Sequence, residues 1–248
     1  MAVPSAEGLF NKVISESGTL NLVHTRESAQ ALTTWYLETL GNPNLSELRE
    51  MPAEAFIDFD DYDGSIAFSP MIDGLIIPED PYLSIQNGSA EGIPLLTGTT
   101  KDEVYFWLDF YPLLAEETPG DVIQTITPYH PYVQNQDYSE KILQNFTSYA
   151  VLLPNETTPE EASMSMATDV MFWIPQIRLA ELQSYHAPTF IYYFTWEGPY
   201  SASPHAIEIP LIFQTFTSNQ SLGLIGEDIP IKLADEIQDA WVAFARTG

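Results

Sequence analysis

Three short stretches hold residues whose types could do chemistry together: "VISESGT" with Ser17, "TGTTKDEVYFW" with Glu103, and "PYSASPHAIEIP" with His205. A serine, an acid and a histidine are the set used for nucleophilic acyl transfer. The histidine takes the serine proton, while the acid fixes the histidine tautomer and stabilises the imidazolium that forms. On spacing alone the plainer reading is the stronger: a turn serine, a solvated charge and a hydrogen-bonded loop histidine. The other histidines rank lower. His130 lies between prolines in "TPYHPY", His186 ends a helix in "SYHAP" where a cation suits the dipole, and His24 precedes a helix. Only His205 follows a strongly predicted strand by a long loop.

Those residues need elements to carry them. "LFNKVISESGT" reads as a short strand, Lys12 to Ser15, entering a tight turn at Gly18. Residues 26–40 read as a helix with Ala29, Leu32, Tyr36 and Leu40 on one face, and a second short helix covers Leu45 to Phe56. The Asp-, Pro- and Gly-rich segment 57–92 reads as mostly loop. "GIPLLTG", 92–98, is an apolar run typical of a strand buried on both faces. Residues 110–165 resemble an inserted cap with short helical pieces such as 139–150, and 167–184 form a helix. "TFIYYFTW", 189–196, is β-branched and aromatic, hence a strand. Residues 230–246 make an amphipathic helix, with Leu233, Ile237, Ala240, Trp241 and Phe244 on one face and Asp235, Glu236 and Asp239 on the other. Strands alternating with helices predict an α/β fold with a mostly parallel central sheet and helices on both faces. Such sheets place function in the loops after the carboxyl ends of their strands, where Ser17, Glu103 and His205 fall.

Composition narrows the classes. At 248 residues and 45% apolar content, the chain can build a core. Eight Lys and Arg against 35 Asp and Glu give a net charge of −27, which repels nucleic acid and anionic membranes. No apolar run of about 18 residues suggests a membrane span, and the N-terminus does not read as a signal peptide. The chain has no cysteine, so thiolate chemistry and disulfides are excluded. That favours a cytoplasmic bacterial protein. Five Asn-x-Ser/Thr sequons, at Asn44, Asn87, Asn145, Asn155 and Asn219, leave secretion as the alternative.

Several blocks occur together and in order: "GLFNKVISESGT", "FSPMIDGLIIPEDP", "IPLLTGTTKDE", "HAIEIPLIF" and "DAWVAFARTG". In this the chain resembles the type B carboxylesterases, the esterase and cholinesterase branch of the α/β-hydrolase fold. The likeness runs along nearly the whole chain and weakens in 110–165. It implies a single partial domain, 1–248, forming the C-terminal part of that fold, with 110–165 as a variable cap-like insertion. It implies that Glu103 of Lys-Asp-Glu is the triad acid. It implies that His205, ahead of Glu208 and Pro210, is the triad histidine, and that Phe106 and Trp107 line the substrate gorge. Ser17 then supports the acid without touching substrate. The implied substrate is a small-molecule carboxylic ester, and no cofactor is called for.

The chain departs from the family pattern in three places. Val104 and Ala206 stand where the family usually has glycine. No Gly-x-Ser-x-Gly motif occurs, although the family's nucleophile lies in one. The resemblance therefore places the nucleophile, with the oxyanion-hole glycines, in a partner N-terminal half upstream of Met1. The rival expectation is a catalytically inactive binding or adhesion module of the same ancestry.

Overall fold

The computed structural model describes residues 1–56, 69–107, 152, 158–199 and 201–248. The piece expected at 139–150 and most of the expected cap lie outside the described residues. Among the described residues three parallel strands form one sheet in the order β1-β2-β3: β1 Val13–Glu16, β2 Leu95–Thr100 and β3 Thr189–Phe194. Val13 pairs with Leu95, and Leu95 with Thr189. β2 starts later than expected because Pro94 has no N–H to give; its carbonyl instead accepts from Val13 N at 3.0 Å.

β2 is central and wholly buried. Gly98 is required there, because a Cβ at this position would lie 2.3 Å from the Tyr192 carbonyl oxygen and 2.5 Å from its ring. On β3, Phe190 meets Phe244 edge-on at 6.0 Å and Tyr192 tilts against Trp241 at 5.0 Å, while Tyr193 meets Trp173 at 4.8 Å. Alternate side chains therefore meet helices on opposite faces, as the pleat dictates.

Among the described residues the α-helices are α1 Arg26–Thr39, α2 Leu45–Glu50, α3 Pro81–Gln86, α4 Pro159–Thr168, α5 Ile174–Ser184, α6 Ile209–Ile212, α7 Asn219–Ile225 and α8 Ile231–Thr247. Their starts follow local chemistry. Thr25 caps α1, and Asn44 with Glu47 forms a capping box on α2. The described part of the expected loop 57–92, residues 69–92, is mostly turn and loop, with α3 as its one helix. Asp80 accepts from Tyr82 N at 2.7 Å, and Pro81 suits the first turn. The expected helix 167–184 begins earlier, at Pro159, and runs into α5 through a wide π turn, Asp169–Trp173. The expected cap boundary at 165 thus falls inside α4.

Among the described residues, two apolar clusters join the layers. Leu179 of α5 packs with Leu95, Tyr82 and Ile85. Phe194 packs with Ile207, Leu211, Ile225 and Ala234. α5 also carries two buried glutamines. Gln176 Nε2 donates to Gly18 O at 2.6 Å, and its Oε1 accepts from Thr97 Oγ1. Gln183 Nε2 donates to Ala90 O and Ile93 O, both at 2.8 Å. Replacing Gln183 with leucine keeps the bulk but removes both bonds; Ala90 O keeps the Ile93 N–H at 3.1 Å, while Ile93 O loses its side-chain donor. Chemical denaturation of Gln183→Leu is expected to show a loss of about 2–3 kcal/mol.

Candidate active site

β2 ends at Thr100, and the chain turns through Lys101 and Asp102 into a 3₁₀ turn, Glu103–Trp107. Glu103 is fully buried. A buried carboxylate must be met by donors. Its Oε1 accepts from Thr100 N at 2.7 Å and from Ser17 Oγ at 2.5 Å. Its Oε2 lies 2.5 Å from His205 Nδ1. The structure thus brings Ser17, Glu103 and His205 together, with Ser17 and His205 on opposite oxygens of one carboxylate.

Each residue of the charged tripeptide reaches the loop that carries the histidine. Lys101 Nζ lies 2.8 Å from Glu197 Oε1. Asp102 N donates to Ser203 O at 2.9 Å, and Ser203 N returns a bond to Asp102 Oδ2 at 2.9 Å. His205 N donates to Glu103 O at 3.3 Å. Burial pushes the Asp102 carboxyl above its ordinary range, against the Ser203 N–H and the Lys101 charge.

Aromatic rings flank the imidazole. Phe106, partly exposed, lies 6.0 Å from it edge-on, and Phe172 lies 5.5 Å away, tilted. The Trp107 side chain lies outside the described residues. Sequence reasoning missed Phe172, because 167–184 reads as an ordinary core helix. The π turn, closed by Ile174 N–H on Asp169 O, sets Phe172 beside His205. Nothing in the residue pattern marks that widening.

Of the five non-glycine residues with positive φ among the described residues, two flank the Glu103–His205 contact. Ser17 has φ 53° and Ala206 has φ 70°, both in the left-handed region. Ala206 is one of the departures from the family pattern, and the backbone gives the reason glycine suits that place. Ala206→Gly is expected to raise the thermal unfolding free energy by about 1 kcal/mol.

Glu208 is 1% exposed, and its Oε1 accepts from Tyr192 Oη at 3.1 Å. Burial pushes its carboxyl up to about 7, against its own backbone N–H and the Tyr192 hydroxyl, with Glu103 and Glu16 adding repulsion. The unfolded chain gives up this proton near the ordinary value of 4.5, whereas the folded chain keeps it to about 7. Raising the pH through that window therefore favours unfolding, and the loss is complete above it. Glu208→Gln is expected to be more stable than the parent by about 3 kcal/mol at pH 8. Denaturation curves should show that advantage vanishing towards pH 4.

A parallel sheet with helices on both faces, and an acid and a histidine meeting beyond its strand ends, is the architecture of the α/β hydrolases. The family model described as "Carboxylesterase family" matches residues 1–248, and the chain belongs to that family. It is 32% identical over 263 residues to the para-nitrobenzyl esterase of Bacillus subtilis (strain 168), covering 100% of this chain and 50% of that protein. A solved thermophilic PNB esterase superimposes with a TM-score of 0.73 at 31% identity, covering 99% of this chain and 50% of the other. The Geobacillus stearothermophilus carboxylesterase EST55 at pH 6.2 has a TM-score of 0.79 at 23% identity, over 100% of this chain and 51% of that one, a likeness of fold. The chain spans about half the length of these relatives.

Proposed function

We propose that this chain supplies the acid and the base of a serine carboxylic-ester hydrolase. Glu103 is the acid, His205 the base, and Ser17 a support for the acid. The nucleophile comes from a segment outside these 248 residues. The observation that carries the reading is the buried Glu103 carboxylate with His205 Nδ1 at 2.5 Å. With Nδ1 on the acid, Nε2 is the nitrogen for proton transfer. It takes the proton of the incoming serine as that oxygen attacks the ester carbonyl carbon. It returns the proton to the alcohol as the C–O bond breaks, leaving an acyl-serine. Water attacks that acyl group by the same exchange, releasing the acid and restoring the serine. Phe106, Phe172 and Trp107 are the apolar walls that favour an ester of low polarity.

Ser17 is a poor nucleophile in this reading, since its hydroxyl is spent on Glu103 Oε1 at 2.5 Å. The absence of Gly-x-Ser-x-Gly and the match to half of each relative support a nucleophile lying elsewhere. The domain 1–248 is then one part of an α/β-hydrolase unit, with 110–165 as its cap. Among the described residues no helix is long and apolar enough to cross a membrane.

The test pairs this chain with the portion of the para-nitrobenzyl esterase that it does not cover, using a short-chain nitrophenyl ester. The 248-residue chain alone is expected to give no product burst. The assembled protein is expected to turn over, with kcat falling about 10⁶-fold in His205→Ala and about 10⁴-fold in Glu103→Gln. Ser17→Ala is expected to cost about tenfold. Hydrolysis by the chain alone that Ser17→Ala abolishes would make Ser17 the nucleophile and overturn the reading.

A further inference from the structure

Among the described residues two rings meet the His205 imidazole: Phe106 at 6.0 Å and Phe172 at 5.5 Å. They differ in what fixes them. Phe106 stands on the acid's own 3₁₀ turn and is partly exposed. Phe172 comes from the π turn Asp169–Trp173 and is 4% exposed. A ring so enclosed offers a ligand little to touch, so lining a pocket is the smaller part of its role.

The π turn is pinned on both sides to neighbours of the acid and its support. Before it, the buried Thr168 accepts on Oγ1 from the N–H of Val104, the residue after Glu103, at 3.3 Å. After it, the buried Gln176 donates from Nε2 to the carbonyl of Gly18, the residue after Ser17, at 2.6 Å. Within it, Trp173 tilts against Tyr193 of β3 at 4.8 Å. An α-helix turns by about 100° per residue, so the one extra residue of a π turn re-aims the side chains beside it. Between those anchors the chain aims Phe172 at the imidazole.

A hydrogen bond at one corner does not by itself fix a ring. The His205 side chain is 29% exposed, and Nδ1 meets Glu103 Oε2 at 2.5 Å. The outer torsion of a histidine is broad, so a ring held at Nδ1 can swing about that corner and carry Nε2 out of line. A ring packed against the imidazole takes that freedom away.

We propose that Phe172 is a positioning residue for His205. Its ring, set by the π turn, holds the imidazole in the orientation that keeps Nδ1 on Glu103 and leaves Nε2 for proton transfer, a step that suffers from a misplacement of about 1 Å. This inference rests on reading Glu103 and His205 as an acid–base pair, but its readout needs no ester turnover.

The test is proton NMR of the 248-residue chain, following the Nδ1–H of His205. An N–H in a short, charge-assisted bond to a carboxylate resonates far downfield of amide protons. The parent is expected to show that signal and His205→Gln to lose it, which assigns it. Phe172→Ala should speed its exchange with water by about tenfold or more. Phe244→Ala removes another buried ring, one that meets Phe190 near the start of β3, and should leave the rate within about twofold. A folded Phe172→Ala that exchanges at the parent's rate overturns the proposal. So does a Phe244→Ala that speeds exchange as much, since the effect is then a general loosening of the core. Should Phe172→Ala not fold, Phe172→Leu, which removes the ring but keeps most of the bulk, is expected to speed exchange about threefold, and an unmoved rate there overturns the proposal instead. A parent without the signal, or a signal that survives Glu103→Gln, defeats the acid–base pair itself.

Discussion

The site depends on one constraint, a carboxylate taken entirely out of water. An unpaired buried carboxylate is too costly to persist, so Glu103 must be surrounded by donors. The structure supplies three of them from three chain segments: the Ser17 hydroxyl after β1, the Thr100 N–H at the end of β2, and the His205 ring beyond β3. One buried charge therefore gathers the carboxyl ends of all three described strands. The strained backbone at Ser17 and Ala206 follows from it, since both residues belong to loops bent towards that carboxylate.

The loops are also tied independently of Glu103. The paired Asp102–Ser203 bonds and the Lys101–Glu197 ion pair join the acid's turn to the histidine's loop. The ion pair is largely exposed and adds little to stability. The Asp102–Ser203 bonds matter more, because they reach the backbone and Ser203 is fully buried. From Ser203 to His205 the chain has little freedom, so the imidazole is held from its backbone as well as by its ring.

The scarcity of positive charge gives this site its electrostatic character. In a chain of net charge −27, Glu103, Glu208 and the partly buried Glu16 meet hydroxyl, indole and backbone donors in place of lysine or arginine. Neutral donors solvate a carboxylate without cancelling its charge.

The sequence by itself determined the order and type of the main elements. Apolar runs, helical periodicity and capping residues act over a few positions, and they gave the three strands, α1 and α8 within a few residues. The charged tripeptide and the histidine could be singled out as well, the resemblance adding what their spacing could not. Only the tertiary structure decided that Ser17, Glu103 and His205 meet on one carboxylate, because parallel pairing across crossovers joins residues 86 and 102 positions apart. It alone put Phe172 beside His205 and joined Glu208 to Tyr192, Tyr192 to Trp241 and Trp241 to Glu16. Those contacts depend on a widened helical turn and on a last helix packed across the sheet, and neither leaves a local mark in the chain.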